Sequence, residues 1–236
     1  MHFLDLTLAD PAANLALDES LLLDAETAGG GEVLRCWEWP TPVVVLGSGC
    51  KLADDVNENV CVADGVPILR RSSGGGTVLW NRGCLLYTLI LSCERAPELT
   101  QIGSSYRYIL GRVAAALGLD EVRQEGISDL AIGDRKFSGN AQQRKRSFLL
   151  HHGTLLYDFD RSLVARYLRP PPRQPDYRGQ RPHEDFLCNV PLTAEAMKRQ
   201  LRGVWEAAEE RTTWPEAMVR SLCAEKYGRV EWTRRR

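Results

Sequence analysis

The chain has 236 residues, of which 44% are hydrophobic and 26% are charged, so it can build a core without a metal or disulfide staple. Its 30 basic and 31 acidic residues give a net charge of −1, and charge therefore gives no case for nucleic acid or an anionic membrane as a partner. Seven scattered cysteines include no C-x-x-C pair, which argues against a zinc site and a disulfide framework. Reduced thiols, and the lack of a signal peptide or an 18-residue apolar stretch, predict a cytoplasmic protein.

The first ninety residues are predicted to form strands with one long helix among them. Asp10 can cap a helix that starts at Pro11, and leucines continue at helical spacing until Gly29. Gly83–Ser92 is apolar almost throughout and has the length of a strand, which suits the centre of a sheet covered on both faces. The other predicted strands are Phe3–Leu8, Val33–Trp39 and Val43–Leu46, and Val60–Leu69 is predicted to be extended or mixed.

The rest of the chain is predicted to contain a helix, a hairpin and a helical tail. Tyr106–Leu117 has helical periodicity, and Gly133-Asp134 is a turn dipeptide between two strands. Regular structure is excluded by the prolines of Arg169–Pro182. The predicted strands are Asp129–Ile132, Lys136–Asn140 and Ser147–Asp158, and the tail helices lie near Thr193–Glu210 and Trp214–Tyr227. This order predicts an α/β (α+β) fold with a mixed β-sheet flanked by helices.

Three consecutive glycines, Gly74–Gly76, follow Arg70 and Arg71 between two apolar segments. Because glycines cost backbone entropy on folding, a geometric need must hold them there. A glycine backbone can lie close to a ligand and direct successive N–H groups at a carboxylate or phosphate. The two arginines could add bidentate contacts to the same anion. The alternative is a hairpin turn with two exposed arginines.

Lys136, Ser138 and Asn140 alternate along a predicted strand, which places them on one face, opposite Phe137 and Gly139. This combination would suit acyl transfer, because an ammonium can hold an anionic leaving group while neutral donors hold an oxyanion. The alternative is an exposed edge face with a solvated lysine.

His151 and His152 are adjacent on a predicted strand and should therefore point to opposite faces. At most one of them can reach a given pocket, and no carboxylate at ligand spacing completes a metal site. For either histidine alone, a structural role is the alternative to a role in the site.

Together these motifs resemble, in sequence and in order, the catalytic domain of lipoate–protein ligases, in the wider family that includes biotin ligases and octanoyltransferases. The matching stretches are RRSSGGGTVLWNRGCLLYTLIL and SDLAIGDRKFSGNAQQRKRSFLLHHGTLLYDFD, with weaker matches in the opening helix and in PVVVLGSG. The chain departs from the family at Trp80 and Asn81, where histidine and aspartate are common, and at Ser128, where asparagine is frequent. The resemblance implies a mixed-sheet fold of the class II synthetase, or biotin–lipoate ligase, type.

The resemblance covers residues 1–192, which are expected to form the catalytic domain. Residues 193–236 are expected to form a short helical appendage packed on the same domain, because they are too few for the additional C-terminal domain of long ligases. Some ligases of this family recruit that missing part as a separate accessory chain.

The resemblance also implies a reaction. ATP with Mg²⁺ would activate lipoate or octanoate to an acyl-adenylate, and the acyl group would pass to a lysine of a lipoyl carrier domain of a 2-oxoacid dehydrogenase or of the glycine cleavage H protein. Lys136 would act at the acyl carbonyl and the adenylate phosphate, and Arg71 would be the ligand-side arginine. No protein ligand to a metal is implied. The other residues implied for the substrate and adenylate site are Ser73, Gly74, Gly75, Gly76, Thr77, Asp129, Ser138, Gly139, Asn140, His152 and Gly153.

Two other functions remain open. An octanoyltransferase carries the acyl group on a cysteine thiolate, which in two branches of the family lies just before the Asp-Leu pair, where Arg123–Ser128 contains no cysteine. In another branch the cysteine follows the lysine motif, and Cys188 is the cysteine placed to imitate it. A non-catalytic module that binds a carrier domain is the third interpretation.

A local basic surface is expected for recognition of the carrier, because the resemblance implies a carrier that is acidic around its target lysine. The alternative is a solvated surface without a partner. The candidate residues are Arg144, Lys145, Arg146, Arg169, Arg173, Arg178 and Arg181.

Overall fold

The fold is built on a mixed β-sheet, seen in a computed structural model that describes residues 1–171 and 174–236. The strands are β1 His2–Asp5, β2 Val33–Glu38, β3 Val43–Leu46, β4 Ile68–Arg70, β5 Val78–Trp80, β6 Cys84–Ser92, β7 Val122–Glu125, β8 Asp129–Ile132, β9 Arg135–Arg144, β10 Phe148–Leu156 and β11 Glu209–Glu210. The helices are α1 Pro11–Thr27, α2 Leu52–Asp55, α3 Glu58–Ala63, α4 Ile102–Leu117, α5 Ser162–Tyr167, α6 His183–Phe186, α7 Ala194–Val204, α8 Glu216–Leu222 and α9 Val230–Thr233. Short 3-10 turns lie at Pro97–Thr100 and Asp176–Arg178, and a π-helical turn, Cys223–Tyr227, follows α8.

The main sheet has eight strands in the order β11-β1-β2-β6-β10-β9-β8-β7. β1 pairs in parallel with β2 and β11, and the other neighbours are antiparallel. A smaller sheet, β4-β3-β5, carries the glycine run between β4 and β5. The predicted mixed sheet flanked by helices is therefore confirmed.

Each face of the main sheet has its own hydrophobic core. The first core packs α1 and the smaller sheet against one face, and the second packs α4 and α7 against the other. Side chains of β6 alternate between them, with Leu86 in the first core and Leu85 and Tyr87 in the second. This confirms the prediction that the apolar segment Gly83–Ser92 is a central strand covered on both faces.

Several predicted elements are confirmed, and two differ. Asp10 caps α1, since its carboxylate accepts a hydrogen bond from Ala12 N at 2.9 Å. The segment Val60–Leu69 is mixed, since α3 ends at Ala63 and β4 begins at Ile68. The helix predicted near Thr193–Glu210 is shorter than expected, because α7 ends at Val204 and Glu209–Glu210 pair with β1 as strand β11. The loop Arg169–Pro182, for which regular structure was excluded, contains the 3-10 turn Asp176–Arg178, and two of its residues, Pro172 and Arg173, lie outside the described ranges.

Residues 193–236 share both cores with the rest of the chain. Met197 and Leu201 of α7 lie in the second core, and β11 pairs with β1. Val219 of α8 and Tyr227 lie in the first core beside α1. In residues 1–171 and 174–236, no helix is both long enough and apolar enough to cross a membrane.

Candidate active site

The glycine run, Gly74–Gly76, lies against the end of β3. An ideal Cβ built on Gly47 would lie 2.0 Å from the carbonyl oxygen of Gly75, so only glycine permits this approach. Ser48 N donates to Ser73 O at 2.9 Å, and Gly75 has φ +81°, a left-handed conformation that favours glycine. The N–H groups of the glycine run donate no hydrogen bond to any part of the chain that the structure describes. The run therefore exposes backbone donors in a fixed loop.

Arg71 holds that loop in place. Its guanidinium donates to Gly74 O at 2.6 Å, to Gly76 O at 2.7 Å, to Val45 O at 3.2 Å and to Ser73 Oγ at 3.0 Å. Burial lowers its pKa to about 10, so it stays charged at neutral pH. The alternative prediction, a hairpin turn with two exposed arginines, is therefore wrong. Arg71 binds the carbonyl oxygens of the glycine run, which leaves the N–H groups of the run available to a ligand. A direct contact between Arg71 and a substrate stays a prediction.

Arg70 points away from Arg71 and binds other backbone. It donates to Gly47 O at 2.8 Å and Cys50 O at 2.7 Å, and its Nε donates to Thr233 O at 2.9 Å. The two arginines therefore do not converge on one anion, because they follow each other at the end of a strand and leave it on opposite sides.

Lys136 lies on the face that the glycine run covers. Its Nζ is 2.8 Å from Asp129 Oδ1, and its side chain lies across Gly139, where a Cβ would be 2.9 Å from Nζ. Ala141, two residues further on β9, lies under the glycine run, since a Cβ on Gly75 would be 3.6 Å from Ala141 Cβ. Lysine, carboxylate and glycine run thus form one polar surface.

The predicted grouping of Lys136 with Ser138 and Asn140 is wrong. A β-bulge at Phe137 inserts an extra residue, because Lys136 pairs with Ala131 whereas Ser138 pairs with Leu130. The insertion breaks the alternation on which the prediction rested, and Lys136 shares its face with Gly139 instead.

Ser138, Asn140 and Gly153 face the second core. Asn140 donates to Ser138 Oγ at 3.1 Å and accepts from the Tyr87 hydroxyl at 2.5 Å. A Cβ on Gly153 would lie 1.9 Å from Asn140 Oδ1, so this glycine makes room for that contact. Their geometry supports a role in holding β9 against β10 rather than direct contact with substrate.

His151 and His152 point to opposite faces of the sheet, as predicted. His152 Nε2 is hydrogen-bonded to Ser73 Oγ at 2.6 Å, and its Nδ1 lies 3.2 Å from Asp18 Oδ2. The order of the groups matches a serine–histidine–aspartate triad. Ser73 is only 1% exposed and also accepts from Arg71, so this chain of contacts fixes the loop and offers no accessible nucleophile.

A buried acidic pair on α1 was missed by the sequence reasoning. Asp18 binds Arg35 Nη1 at 2.6 Å; burial alone would raise the pKa of Asp18, but Arg35 and His152 hold it below its usual value. Glu19 accepts from Lys226 Nζ at 2.7 Å and from the Tyr227 hydroxyl at 2.6 Å. The available signal was two consecutive acids between leucines in the middle of the helix.

The side chains of Thr77 and Cys188 also have hydrogen-bond partners within the chain. Thr77 Oγ1 donates to Asp55 Oδ2 at 2.6 Å. Cys188 N donates to Lys136 O at 2.9 Å, which places the cysteine beside the lysine backbone. Its thiol, however, lies in the second core, contacts Arg135 O and has a pKa raised by burial. This geometry does not support Cys188 as a nucleophile.

Three residues of the predicted basic surface are engaged in contacts within the chain or buried. Arg144 donates to Leu99 O, Arg181 binds Asp134 Oδ2 at 2.7 Å, and Arg178 is 4% exposed. Lys145, Arg146 and Arg169 are exposed, and Arg173 lies outside the described residues. A cleft of about 580 Å³ lies elsewhere, between α4 and β7.

Gly139 is expected to control activity without supporting the fold. A methyl group in Gly139→Ala would meet only the flexible end of Lys136, at 2.9 Å from Nζ and 3.0 Å from Cε. We expect acyl-transfer turnover to fall by roughly 10- to 100-fold because the ammonium is displaced, with little change in the melting temperature. Gly111→Ala in α4, where a Cβ meets nothing within 4 Å, is the control. Equal turnover in both variants would contradict the placement of Lys136.

His151 is expected to make stability depend on pH. Burial, together with His152, lowers the pKa of His151 to about 3, against about 6.5 in an unfolded chain. Below pH 6.5 the unfolded chain therefore binds a proton that the native state excludes, and the free energy of unfolding should fall by about 2 kcal/mol between pH 7 and pH 5. Urea unfolding at both pH values measures this. His151→Gln should flatten the dependence, whereas the exposed His2→Gln should not.

The mixed sheet carries a lysine–carboxylate pair beside an exposed glycine run, the combination of groups that the sequence motifs associate with acyl transfer. The family model described as the lipoyl protein ligase A/B catalytic domain matches residues 10–201. The chain belongs to this family, whose members are lipoate ligases and octanoyltransferases.

Three relatives illustrate the similarity. The octanoyltransferase LipM of Halalkalibacterium halodurans is 25% identical, over 100% of this chain and 99% of its own length. A bi-partite lipoate protein ligase from Thermoplasma acidophilum, analysed with its E2 lipoyl domain, has a TM-score of 0.81 at 22% identity and covers 99% of this chain and 95% of its own. A lipoate-protein ligase A bound with ATP also has a TM-score of 0.81 at 22% identity, covering 99% and 98%. The two structures share the fold with this chain.

Proposed function

We propose that this protein is a lipoate–protein ligase, which activates lipoate or octanoate with ATP and Mg²⁺ and transfers the acyl group to a lysine of a lipoyl carrier domain. One observation carries the choice of ligase. No cysteine lies in Arg123–Ser128, and the thiol of Cys188 is buried on the face of the sheet opposite to Lys136. A covalent route would need an accessible thiolate near the acyl carbonyl. The thiol of Cys50 lies beside the glycine run, but it donates to Gly75 O at 3.4 Å and burial raises its pKa, which disfavours the thiolate.

The residues fit an acyl phosphate. The free N–H groups of Gly74–Gly76 can hold a carboxylate or phosphate, and the Lys136 ammonium, whose side chain is 25% exposed, lies on the same surface. ATP supplies a phosphoric anhydride that makes the carboxylate reactive. Lys136 would stabilise charge on the acyl carbonyl oxygen and the phosphate as the carrier amine attacks and AMP leaves.

The carrier and a further chain are part of the proposal. The Thermoplasma ligase was analysed with an E2 lipoyl domain, which supports lipoyl domains of 2-oxoacid dehydrogenases or the glycine cleavage H protein as acceptors. Because that ligase is bi-partite, an accessory chain is the corresponding proposal for this protein.

An octanoyltransferase is the second candidate, favoured by the full-length similarity to LipM. It would exchange an octanoyl thioester of a carrier protein onto a cysteine and then onto the acceptor lysine. Cys188 would have to leave the second core for this reaction.

The deciding experiment uses the purified chain and a lipoyl domain as acceptor. One reaction contains lipoate and ATP, a second contains synthetic lipoyl-adenylate without ATP, and a third contains octanoyl carrier protein. Mass spectrometry of the acceptor measures the product. Modification in the first two reactions supports the ligase, and modification in the second alone indicates that activation requires an accessory chain. Modification in the third alone, abolished by Cys188→Ala, would replace the ligase by the transferase, and no modification in any reaction would reject both.

A further inference from the structure

Residues 174–187, called here the strap, lie over the hairpin that carries Lys136. Near the middle of the strap Arg181 binds Asp134 in the turn between β8 and β9, with Nη1 at 2.7 Å from Oδ2. At its end Leu187 forms a parallel bridge with Lys136. The strap is therefore anchored at the turn that precedes the lysine and at the backbone of the lysine itself.

Within the strap, aromatic packing fixes Tyr177. Its ring centroid lies 5.1 Å from that of Phe186, which is 3% exposed. The guanidinium of Arg178 stacks on Phe186 at 4.9 Å, and Arg181 Nη2 donates to Tyr177 O at 2.8 Å. Because the ring and the backbone are both held, the position of the Tyr177 hydroxyl is determined by the strap.

That hydroxyl reaches the partner of the lysine. Tyr177 OH donates to Asp129 Oδ2 at 2.8 Å, while Asp129 Oδ1 binds Lys136 Nζ at the same distance. One carboxylate thus joins a strap tyrosine to the lysine. Burial and the charge of Asp129 raise the pKa of Tyr177, so the hydroxyl remains a donor at any physiological pH.

We propose that Tyr177 is a positioning residue for the reaction: its hydroxyl orients Asp129, and through Asp129 it sets the position of the Lys136 ammonium. This inference rests on the proposed function, in which Lys136 acts on the acyl group. The hydroxyl shares the negative charge of the carboxylate, so Lys136 is held less tightly than by a carboxylate without a second donor. When an acyl phosphate binds, the Lys136 ammonium can move to it, because Asp129 still accepts a hydrogen bond from the Tyr177 hydroxyl.

The substitution Tyr177→Phe removes the hydroxyl and leaves the ring on Phe186. We expect turnover to fall on the order of tenfold because Lys136 is misplaced, with the KM for the acyl substrate nearly unchanged. Tyr157→Phe is the matched control, since Tyr157 OH donates to Glu38 Oε1 at 2.5 Å, away from Lys136. Unchanged turnover in Tyr177→Phe would overturn the proposal.

A double-mutant cycle tests whether Tyr177 acts through Asp129. In an Asp129→Ala background, Tyr177→Phe should cause no further loss of turnover, because the contact it removes no longer exists. Independent, multiplying losses would mean that the tyrosine acts by another route and would overturn the proposal.

Chemical labelling of Lys136 separates this inference from the proposed function, because it needs no substrate. The rate at which an amine-reactive ester modifies Lys136 at one fixed pH, followed by mass spectrometry, reports how tightly Asp129 holds the amine. Tyr177→Phe should slow this labelling by about threefold, since Asp129 then binds the lysine alone. An unchanged or a faster rate would overturn the inference. An inactive wild-type protein would instead reject the proposed function, and the labelling would still decide the role of Tyr177.

Discussion

Replacing Lys136 by alanine should lower acyl-transfer turnover by about two to three orders of magnitude, the loss typical of a donor that stabilises charge in a transition state. The fold should tolerate the change. Asp129 keeps the Tyr177 hydroxyl as a partner, and loss of the partly exposed ion pair should cost about 1 kcal/mol or less. Turnover with synthetic lipoyl-adenylate and urea unfolding measure the two effects separately.

Lys198→Ala is the control for this substitution, because it removes a lysine from another partly exposed lysine–aspartate pair, in which Lys198 Nζ lies 3.0 Å from Asp5 Oδ1, without touching the polar surface. Its turnover should equal that of the wild type. A folded Lys136→Ala variant with near-normal turnover would show that the lysine does not carry the chemistry.

The substitution Gly47→Ala should damage both the loop and the reaction. Its methyl group would lie 2.0 Å from Gly75 O and 3.0 Å from Gly75 C, and backbone atoms cannot move aside as a side chain can. Overpacking of this kind typically costs 1–3 kcal/mol, and we expect a loss of about 2 kcal/mol in the free energy of unfolding. Because the glycine run must shift, turnover should fall by roughly 100-fold.

Gly49→Ala lies two residues further along the same loop and meets nothing within 4 Å. It should leave turnover and unfolding close to those of the wild type. If the two alanine variants behaved alike, the contact between Gly47 and Gly75 would have no role in the site.

Much of the fold was predictable because its signals are local. The cap at Asp10 and the apolar run of β6 indicate a helix start and a central strand without reference to the rest of the chain. The 3-10 turn and the short helices α5 and α6 escaped prediction, since a single turn has too few residues to show a period.

The sequence motifs nominate residues for the candidate site but do not determine how these residues are arranged. Strand alternation assigns faces only while the pairing is regular, and the bulge at Phe137 moves Lys136 to the other face. The charge of Arg71 suggests a bound anion, yet its guanidinium donates to carbonyl oxygens of its own loop. Contacts between distant segments, such as Tyr177 with Asp129, leave no pattern in a single sequence.

The contacts of Arg70 and Glu19 with residues 226–233 bear on how the glycine run is supported from a distance. Arg70 donates to Thr233 O, Trp232 Nε1 donates to Arg70 O at 2.8 Å, and Lys226 binds Glu19. The strand that leads into the glycine run is therefore fastened by a segment far away in the sequence. A substitution at Trp232 or Lys226 would thus loosen this support, although neither residue belongs to the polar surface around Lys136.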